Sequence, residues 1–405
     1  MVDILLVGAG GYGNVYAEAL LNSPQRTDYR IVGVAEPKPE SCEAVPELKK
    51  RGIPIYPSIE EFYAANTADL AIISSPIQFH CSQTCLALSK GSGVLCEKPL
   101  SATVQDALSM LEARDKYKKL VAIGYQWSYS NAILRLKKDI MEGLFGKPKR
   151  LKTLVLWPRN ADYYSRGWAG KKRDAAGNWI LDSVANNATA HYLHNMFYVL
   201  GGTIDRSAAP KFVTAELYRA NAIENFDTSV MRVITEEGIE LMYYVSHAVN
   251  KIHNPTFLYE FEKAVISYSD GEDSENKSIK AVFTDGSVKT YGDPQKEEIN
   301  KLWAVIDSME KGVPVACGIE AAMSHTIAIN GAQDSMEDIL EFPGSIVKYD
   351  EREKLTWVEG LGSLLTDCYR DWSMPGEKGI SWAKSGSKID LAGYRSYPGI
   401  AGLVR

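Results

Sequence analysis

The sequence predicts an α/β chain: an N-terminal doubly wound parallel sheet, then an α/β domain with a large, open, mostly antiparallel sheet. Three observations predict it. Up to residue 126, short apolar runs alternate with amphipathic helical segments, the pattern of strand–helix–strand units. From about residue 211 the chain reads as successive strands joined by turn sequences such as EEG and TDG, which suits an antiparallel sheet. A length of 405 residues also exceeds what one core ordinarily covers. The expected divisions are 1–126, 127–345 and a C-terminal arm, 346–405.

The first domain opens on a short apolar strand, Ile4–Val7, then Gly8-Ala9-Gly10-Gly11-Tyr12-Gly13 and the helical stretch NVYAEALLNS. Strand, GxGxxG and helix form a dinucleotide-binding (Rossmann) signature. Gly8 permits the tight turn, Gly10 lets backbone approach a pyrophosphate, and Gly13 lets helix pack on strand. Gly11 and Tyr12 complete the loop. The second strand, RIVGVAEP, ends in Glu36, whose carboxylate can accept from both ribose hydroxyls and repels a 2′-phosphate, so NAD is expected over NADP.

Further strands are LAIISSP (70–76), VLCEKPL (94–100) and KLVAIGYQ (119–126), separated by the helical QFHCSQTCLALSKG and SATVQDALSMLEARDKYKK. Ligands of such sheets sit at the strand C-termini. Ser74, Ser75, Pro76, Glu97, Lys98 and Gln126 are therefore expected at the cofactor. Lys98, followed by Pro99, stands where an ammonium can hydrogen-bond a substrate hydroxyl and stabilise developing alkoxide charge.

The composition narrows the function classes. A net charge of −6 argues against a main role on a nucleic-acid backbone. No run of about 18 apolar residues suggests a membrane span, and MVDILLVGAGG enters a strand directly, without a basic n-region or cleavage site. Six cysteines with no CxxC pair fit a reduced, cytoplasmic setting. Cys81 and Cys85, one helical turn apart, read as packing rather than as metal ligands, and no metal site is expected.

In the second domain the helix NAILRLKKDIMEG precedes an alternating strand, RLKTLVLW. Residues 157–179 then lack periodicity but collect Trp157, Tyr163, Tyr164 and Trp168 with Arg159 and Arg166. Aromatic faces stack on sugar C–H surfaces and guanidinium forks bind hydroxyls or carboxylates, so this loop is expected to hold substrate; a subunit interface is the other reading. The helices EEINKLWAVIDSMEKG and GIEAAMSHTIAINGAQDSM are expected to close the second domain. The last 60 residues read as an arm packed across its own domain or a neighbour's.

The motifs VGAGGYG, VAEP, SPIQFH with His80, CEKPL and the helix running to LGG together resemble the glucose–fructose oxidoreductase / inositol dehydrogenase / rhizopine catabolism (Gfo/Idh/MocA) family over roughly residues 1–345. That resemblance implies NAD(P)-linked oxidation or reduction of sugars and cyclitols, places His80 at the cofactor, and gives Lys98 a catalytic-site role. It also implies a homodimer or homotetramer built through the C-terminal sheet. The family's second-domain motif is commonly D-x-G-x-H-x-x-D. Counting back from Gly201 sets its histidine on His191, its first aspartate on Asn187 and its second on His194; counting from Asp182 sets Asn186 on the histidine.

The first register is preferred. It makes Lys98, His191, Asn187 and His194 the catalytic group, with Asn187 accepting from the His191 imidazole and all three second-domain residues on one helix face. The expected activity is NAD-dependent oxidation of a secondary ring hydroxyl of a sugar, glycoside or cyclitol. Glycoside cleavage with retained NAD, using as second acid/base His194 or a tyrosine of the 157–179 loop, and a non-catalytic dinucleotide or sugar sensor are the alternatives.

Overall fold

In the computed structural model, which describes residues 1–270 and 277–399, the parallel sheet forms as expected. Its elements are β1 (Val2–Val7), α1 (Tyr12–Leu21), β2 (Tyr29–Ala35), α2 (Val45–Lys50), β3 (Ile55–Tyr56), α3 (Ile59–Ala65) and β4 (Leu70–Ile73). They continue with α4 (His80–Ser89), β5 (Gly93–Cys96), α5 (Val104–Tyr117) and β6 (Val121–Ile123). The strand order is β3-β2-β1-β4-β5-β6, parallel throughout. Every residue of β4, β5 and β6 is buried, because helices cover both faces; that is why these strands read as continuous apolar runs. The strand order reverses between β1 and β4, the switch point where such sheets bind ligands.

The second domain contains α6 (Asn131–Met141), β7 (Pro148–Leu156), α7 (Ala161–Tyr164), α8 (Ala190–Val199), β8 (Pro210–Arg219), β9 (Thr228–Thr235) and β10 (Glu240–Ser246). Then come β11 (His253–Phe261), β12 (Ala264–Ser269), β13 (Ile279–Phe283), β14 (Val288–Gly292), α9 (Asn300–Lys311), α10 (Ile319–Ser335) and β15 (Leu340–Glu341). The large sheet runs β14-β13-β12-β11-β7-β10-β9-β8-β15, antiparallel except where β10 meets β7 and β15 meets β8. Its two faces follow the strand period. On β10, Leu241, Tyr243 and Val245 join the main core, whereas Met242 and Tyr244 belong to a second cluster on the opposite face.

That second face is covered by the chain's own arm, made of β16 (Val347–Asp350), β17 (Leu355–Val358), α11 (Leu361–Asp371) and β18 (Ile389–Asp390). Residues 400–405 of the expected arm lie outside the described residues. Leu361, Leu365, Cys368 and Met374 pack on Leu154, Val230, Met242 and Tyr244. The arm also satisfies two charges buried in the sheet. Lys152 Nζ donates to the carbonyls of Tyr369 (2.6 Å) and Arg370 (3.2 Å) at the C-terminal end of α11, where the helix dipole favours a cation. Glu216 accepts from Gly376 N (3.0 Å), Ser385 Oγ (2.7 Å) and Tyr218 Oη (2.6 Å). The face over β7, β10, β9 and β8, which the family resemblance offers to a partner subunit, is thus occupied from within. At the sheet's other end Val265, Val282 and Val288 are exposed.

One expected placement changes. Helix α9 does not close the second domain but lies on β1 and β5 of the parallel sheet, with Trp303 against Tyr29 and Arg26 paired to Asp307. Its apolar face matches whichever sheet it meets, so sequence periodicity cannot choose between them. Helix α10 spans both units, touching α5, β6, α8 and β8. Among the described residues no helix is long and apolar enough to cross a membrane.

Candidate active site

A cleft of about 1080 Å³ opens at the C-terminal ends of the parallel strands, reaching from Gly8, Tyr12 and Glu36 past Ser74 and Lys98 to Asn187, Arg166 and Trp168. Its dinucleotide end is built from close backbone approaches. A Cβ on Gly13 would stand 2.2 Å from the Gly8 carbonyl oxygen, and one on Gly8, at φ +86°, 3.1 Å from the Ser74 backbone. Only glycine fits there. Gly11 precedes α1 with no side-chain cap; Gly13 N and Asn14 N turn to the carbonyls of Gly10 and Gly11, and the helix N-terminus they form presents its positive end to an anion. Glu36 is held toward the cleft by the amides of Ala9 and Lys38, each at 2.9 Å, and both its oxygens keep capacity for ribose hydroxyls. These features fit a dinucleotide with free 2′- and 3′-hydroxyls.

Several residues expected to touch the cofactor line the cleft, but their polar atoms serve the scaffold. Ser74 Oγ donates to the Gly8 carbonyl (2.9 Å) and Ser75 Oγ to Gln83 (2.5 Å). His80 sets its two ring nitrogens against the carbonyls of Pro99 (2.8 Å) and Ser75 (2.9 Å), tying two strand-end loops together. Glu97 accepts from Tyr16 Oη (2.6 Å), from the fully buried Lys301 of α9, and from the Lys98 amide (3.1 Å). Pro76 lines the wall; Gln126, half-buried beyond β6, does not reach it.

Lys98 lies at the centre. Its Nζ donates to both the carbonyl oxygen and Oδ1 of Asn187, each at 3.0 Å, which leaves one of three ammonium donors free. Asn187 Nδ2 in turn donates to Asp182 Oδ1 at 2.7 Å, and Asp182 Oδ2 accepts from Gly170 N at 2.6 Å. Burial lowers the Lys98 pKa, opposed by the Glu97 carboxylate. Burial pushes Asp182 up to about 6, against the donors Gly170 and Asn187 and the charges of Lys98 and Arg166. The residue before it, Leu181, holds φ +50° while fully buried, a backbone state costing roughly 1–3 kcal/mol outside glycine. Asn225 Nδ2 braces the Asp182 carbonyl at 3.0 Å.

The helix α8 begins at Ala190, so Asn187 sits in the preceding turn and does not share a helix face with His191. Its amide is committed to Lys98 and Asp182, and the expected Asn187–His191 bond is absent. His191 is partly exposed, edge-on to Tyr125, with Nδ1 buried and unpartnered. Burial and the Lys98 charge depress its pKa well below the usual histidine range, so it is neutral. His194 leaves the site altogether: fully buried, it stacks on Tyr125 at 3.9 Å and meets Ser128 Oγ at 2.8 Å. Of the two sources of a second acid/base expected for glycoside cleavage, His194 is therefore not at the cleft, which leaves the loop tyrosines. The carboxylate that meets Asn187 is Asp182, five positions earlier in the sequence, a pairing that the intervening turn hid.

The loop residues gather on the opposite side. Tyr163 lies under two guanidiniums, Arg159 at 5.3 Å and Arg166 at 4.9 Å from its ring centre, and Trp168 and Tyr164 meet it edge-on. Arg166 and Trp168 reach the cleft. Trp157 turns its Nε1 to Asn254 (3.2 Å) beside Tyr192.

Residues 2–125 match the model of an oxidoreductase family with an NAD-binding Rossmann fold, the Gfo/Idh/MocA family. The rhizopine catabolism protein MocA of Rhizobium meliloti is 30% identical over 141 residues, 35% of this chain and 43% of that protein. An inositol 2-dehydrogenase of Rubrobacter xylanophilus is 28% identical over 239 residues, 58% of this chain and 62% of its own. The alignments thus span less than two thirds of these relatives. In fold, the WlbA dehydrogenase of Bordetella pertussis, solved with NADH and UDP-GlcNAcA, superposes with a TM-score of 0.65 at 19% identity, covering 82% of this chain and 97% of that one.

Proposed function

For a chain whose NAD-binding domain is that of the Gfo/Idh/MocA oxidoreductases, we propose an enzyme that interconverts a secondary ring hydroxyl of a carbohydrate or cyclitol with its ketone. The observation that carries the reading is the Lys98–Asn187–Asp182 chain at the end of β5, on the floor of the dinucleotide cleft. NAD, when bound, supplies the hydride acceptor. The free Lys98 donor holds the substrate oxygen and steadies its charge as the C–H bond breaks. Neutral His191 takes the hydroxyl proton at Nε2, and Asn187 fixes the ammonium by offering it two acceptors. Asp182 orients the Asn187 amide. The names of the relatives, one of them acting on inositol, support a polyhydroxylated ring as substrate, and Glu36 supports NAD over NADP.

The test is a panel of sugars, cyclitols and glycosides followed at the NADH absorbance band, with released product measured in parallel. NADH formation that Lys98→Met and His191→Ala each abolish is the expected result. Wild-type turnover in both variants overturns the site; aglycone release without net NADH overturns the net oxidation.

A further inference from the structure

We propose that Arg159 and Arg166, both over the Tyr163 ring, form a subsite for an anionic substituent, a carboxylate or phosphate, carried by the substrate ring. What the ring undergoes rests on the oxidoreductase reading above; the subsite itself does not.

The first support is uncompensated charge. Among the described residues, neither guanidinium has a carboxylate at ion-pair distance. Arg159 donates only to the adjacent Pro158 carbonyl at 3.0 Å. The acids of the same loop are engaged elsewhere: Asp162 with Lys354 at 3.1 Å, Asp174 with the amides of its own turn. Asp182, which feels the Arg166 charge, spends its carboxylate on Gly170 N and Asn187 Nδ2, and Arg166 reaches the cleft that holds the free donor of Lys98. Glu97, the nearby carboxylate, is matched by Lys301.

The second support is preorganisation. The Asn160 side chain accepts from Tyr163 N at 3.2 Å, and Ala161 N donates to the Lys354 carbonyl at 2.9 Å, so Tyr163 is held by capped backbone. His247, 2% exposed, meets Tyr163 edge-on at 5.8 Å; its Nδ1 donates to the Trp157 carbonyl at 2.7 Å and its Nε2 has no partner. The Tyr164 hydroxyl is also buried without a partner. Of these two groups only the Tyr164 hydroxyl can donate to an anion; His247 Nε2, with Nδ1 carrying the proton, is an acceptor and serves here only to pack Tyr163. Paired guanidiniums on an aromatic face bind planar carboxylate or phosphate oxygens through charge-assisted forks.

The test uses matched probes with NAD-loaded enzyme: methyl glucoside against methyl glucuronide, and glucose against glucose 6-phosphate. Turnover is read at the NADH band, and binding by quenching of the loop tryptophans, which needs no turnover. The anionic member of a pair should bind about 10- to 100-fold more tightly, and that preference should collapse in Arg159→Gln and Arg166→Gln. Arg159→Lys, which keeps the charge, should retain part of it. Equal binding of charged and neutral members, or loss of both alike in the variants, overturns the subsite. If the arginine variants instead weaken NAD alone, the guanidiniums serve the cofactor phosphates and the subsite is likewise overturned. Charge-selective quenching with no turnover of any probe leaves the subsite standing and removes the oxidoreductase reading. Turnover of neutral rings without charge selection does the reverse.

Discussion

The two walls of the cleft are made in different ways. On the dinucleotide wall, Gly8, Glu36, Ser74 and Lys98 each follow a parallel strand, so local chain direction alone delivers them to one edge. On the facing wall, Asn187 comes from an irregular stretch and Arg166 and Trp168 from a loop; Asp182 stands behind Asn187, and His191 follows in the first turn of α8. Asn187 and Asp182 are held by tertiary contacts: Asn187 by Lys98, the Asp182 carboxylate by Gly170, and the Asp182 backbone by Asn225. A wall built on strand ends is robust and generic. A wall built on long-range hydrogen bonds is where a particular ring and its substituents are chosen.

If that contrast is right, substitutions on the two walls should separate binding of NAD from turnover. The largest effect is expected at their junction. Lys98→Met removes the donor to the substrate oxygen and should lower kcat by about 10²–10³-fold while NAD still binds, measured by steady-state kinetics and NADH titration; loss of NAD binding in step with kcat would assign Lys98 to the dinucleotide wall only.

Lys301→Met comes next, leaving Glu97 buried with only the Tyr16 hydroxyl and the Lys98 amide. Breaking a buried pair from one side costs about 3–5 kcal/mol, which denaturant unfolding should detect. An unchanged midpoint would mean that Glu97 takes up a proton and that the pair does not brace the strand end.

Asp182 sharpens the comparison through pH. Its ionised form accepts from Asn187 and so turns Oδ1 of that amide toward Lys98. With the carboxyl held up near 6, activity should fall as pH drops through about 6. His191, already neutral there, contributes no limb in that range. Asp182→Asn should flatten the limb. The same shift has a stability sign: the folded state keeps this proton to higher pH than the unfolded chain, so stability declines as pH rises from the ordinary carboxylate range toward 6. A limb that persists in the variant would return the titration to another group.

The smallest effect is expected at His194. Because it packs on Tyr125 away from the cleft, His194→Gln should cost about 1–2 kcal/mol of stability and leave kcat nearly unchanged. A collapse of kcat at intact stability would restore His194 to the chemistry.

How far each wall was legible follows from the same contrast. The parallel strands, the glycine turn, Glu36 and the strand-end position of Lys98 were readable because strand, turn and helix propagate position over a few residues; the spatial order of the strands was not. The two-residue β3 and the short α2 left no periodic trace. His80, Ser74 and Glu97 line the cleft, yet what their polar atoms do depends on Pro99, Gly8 and Lys301, which no local pattern connects to them. On the second wall, spacing identified His191 and Asn187 but proposed the wrong pairing, because a helix that starts at Ala190 and not earlier leaves Asn187 in a turn.

The sequence by itself determined the two kinds of sheet, the dinucleotide loop and the strand-end lysine, since each is encoded in neighbours within about a helical turn or a strand. Only the tertiary structure decided that Asn187 joins Lys98 to Asp182, that α9 braces the first domain through Lys301, and that the arm supplies the partners of Lys152 and Glu216. Those contacts close between residues far apart in the chain, and their energy exists only once burial has removed the water that would otherwise satisfy the same charges.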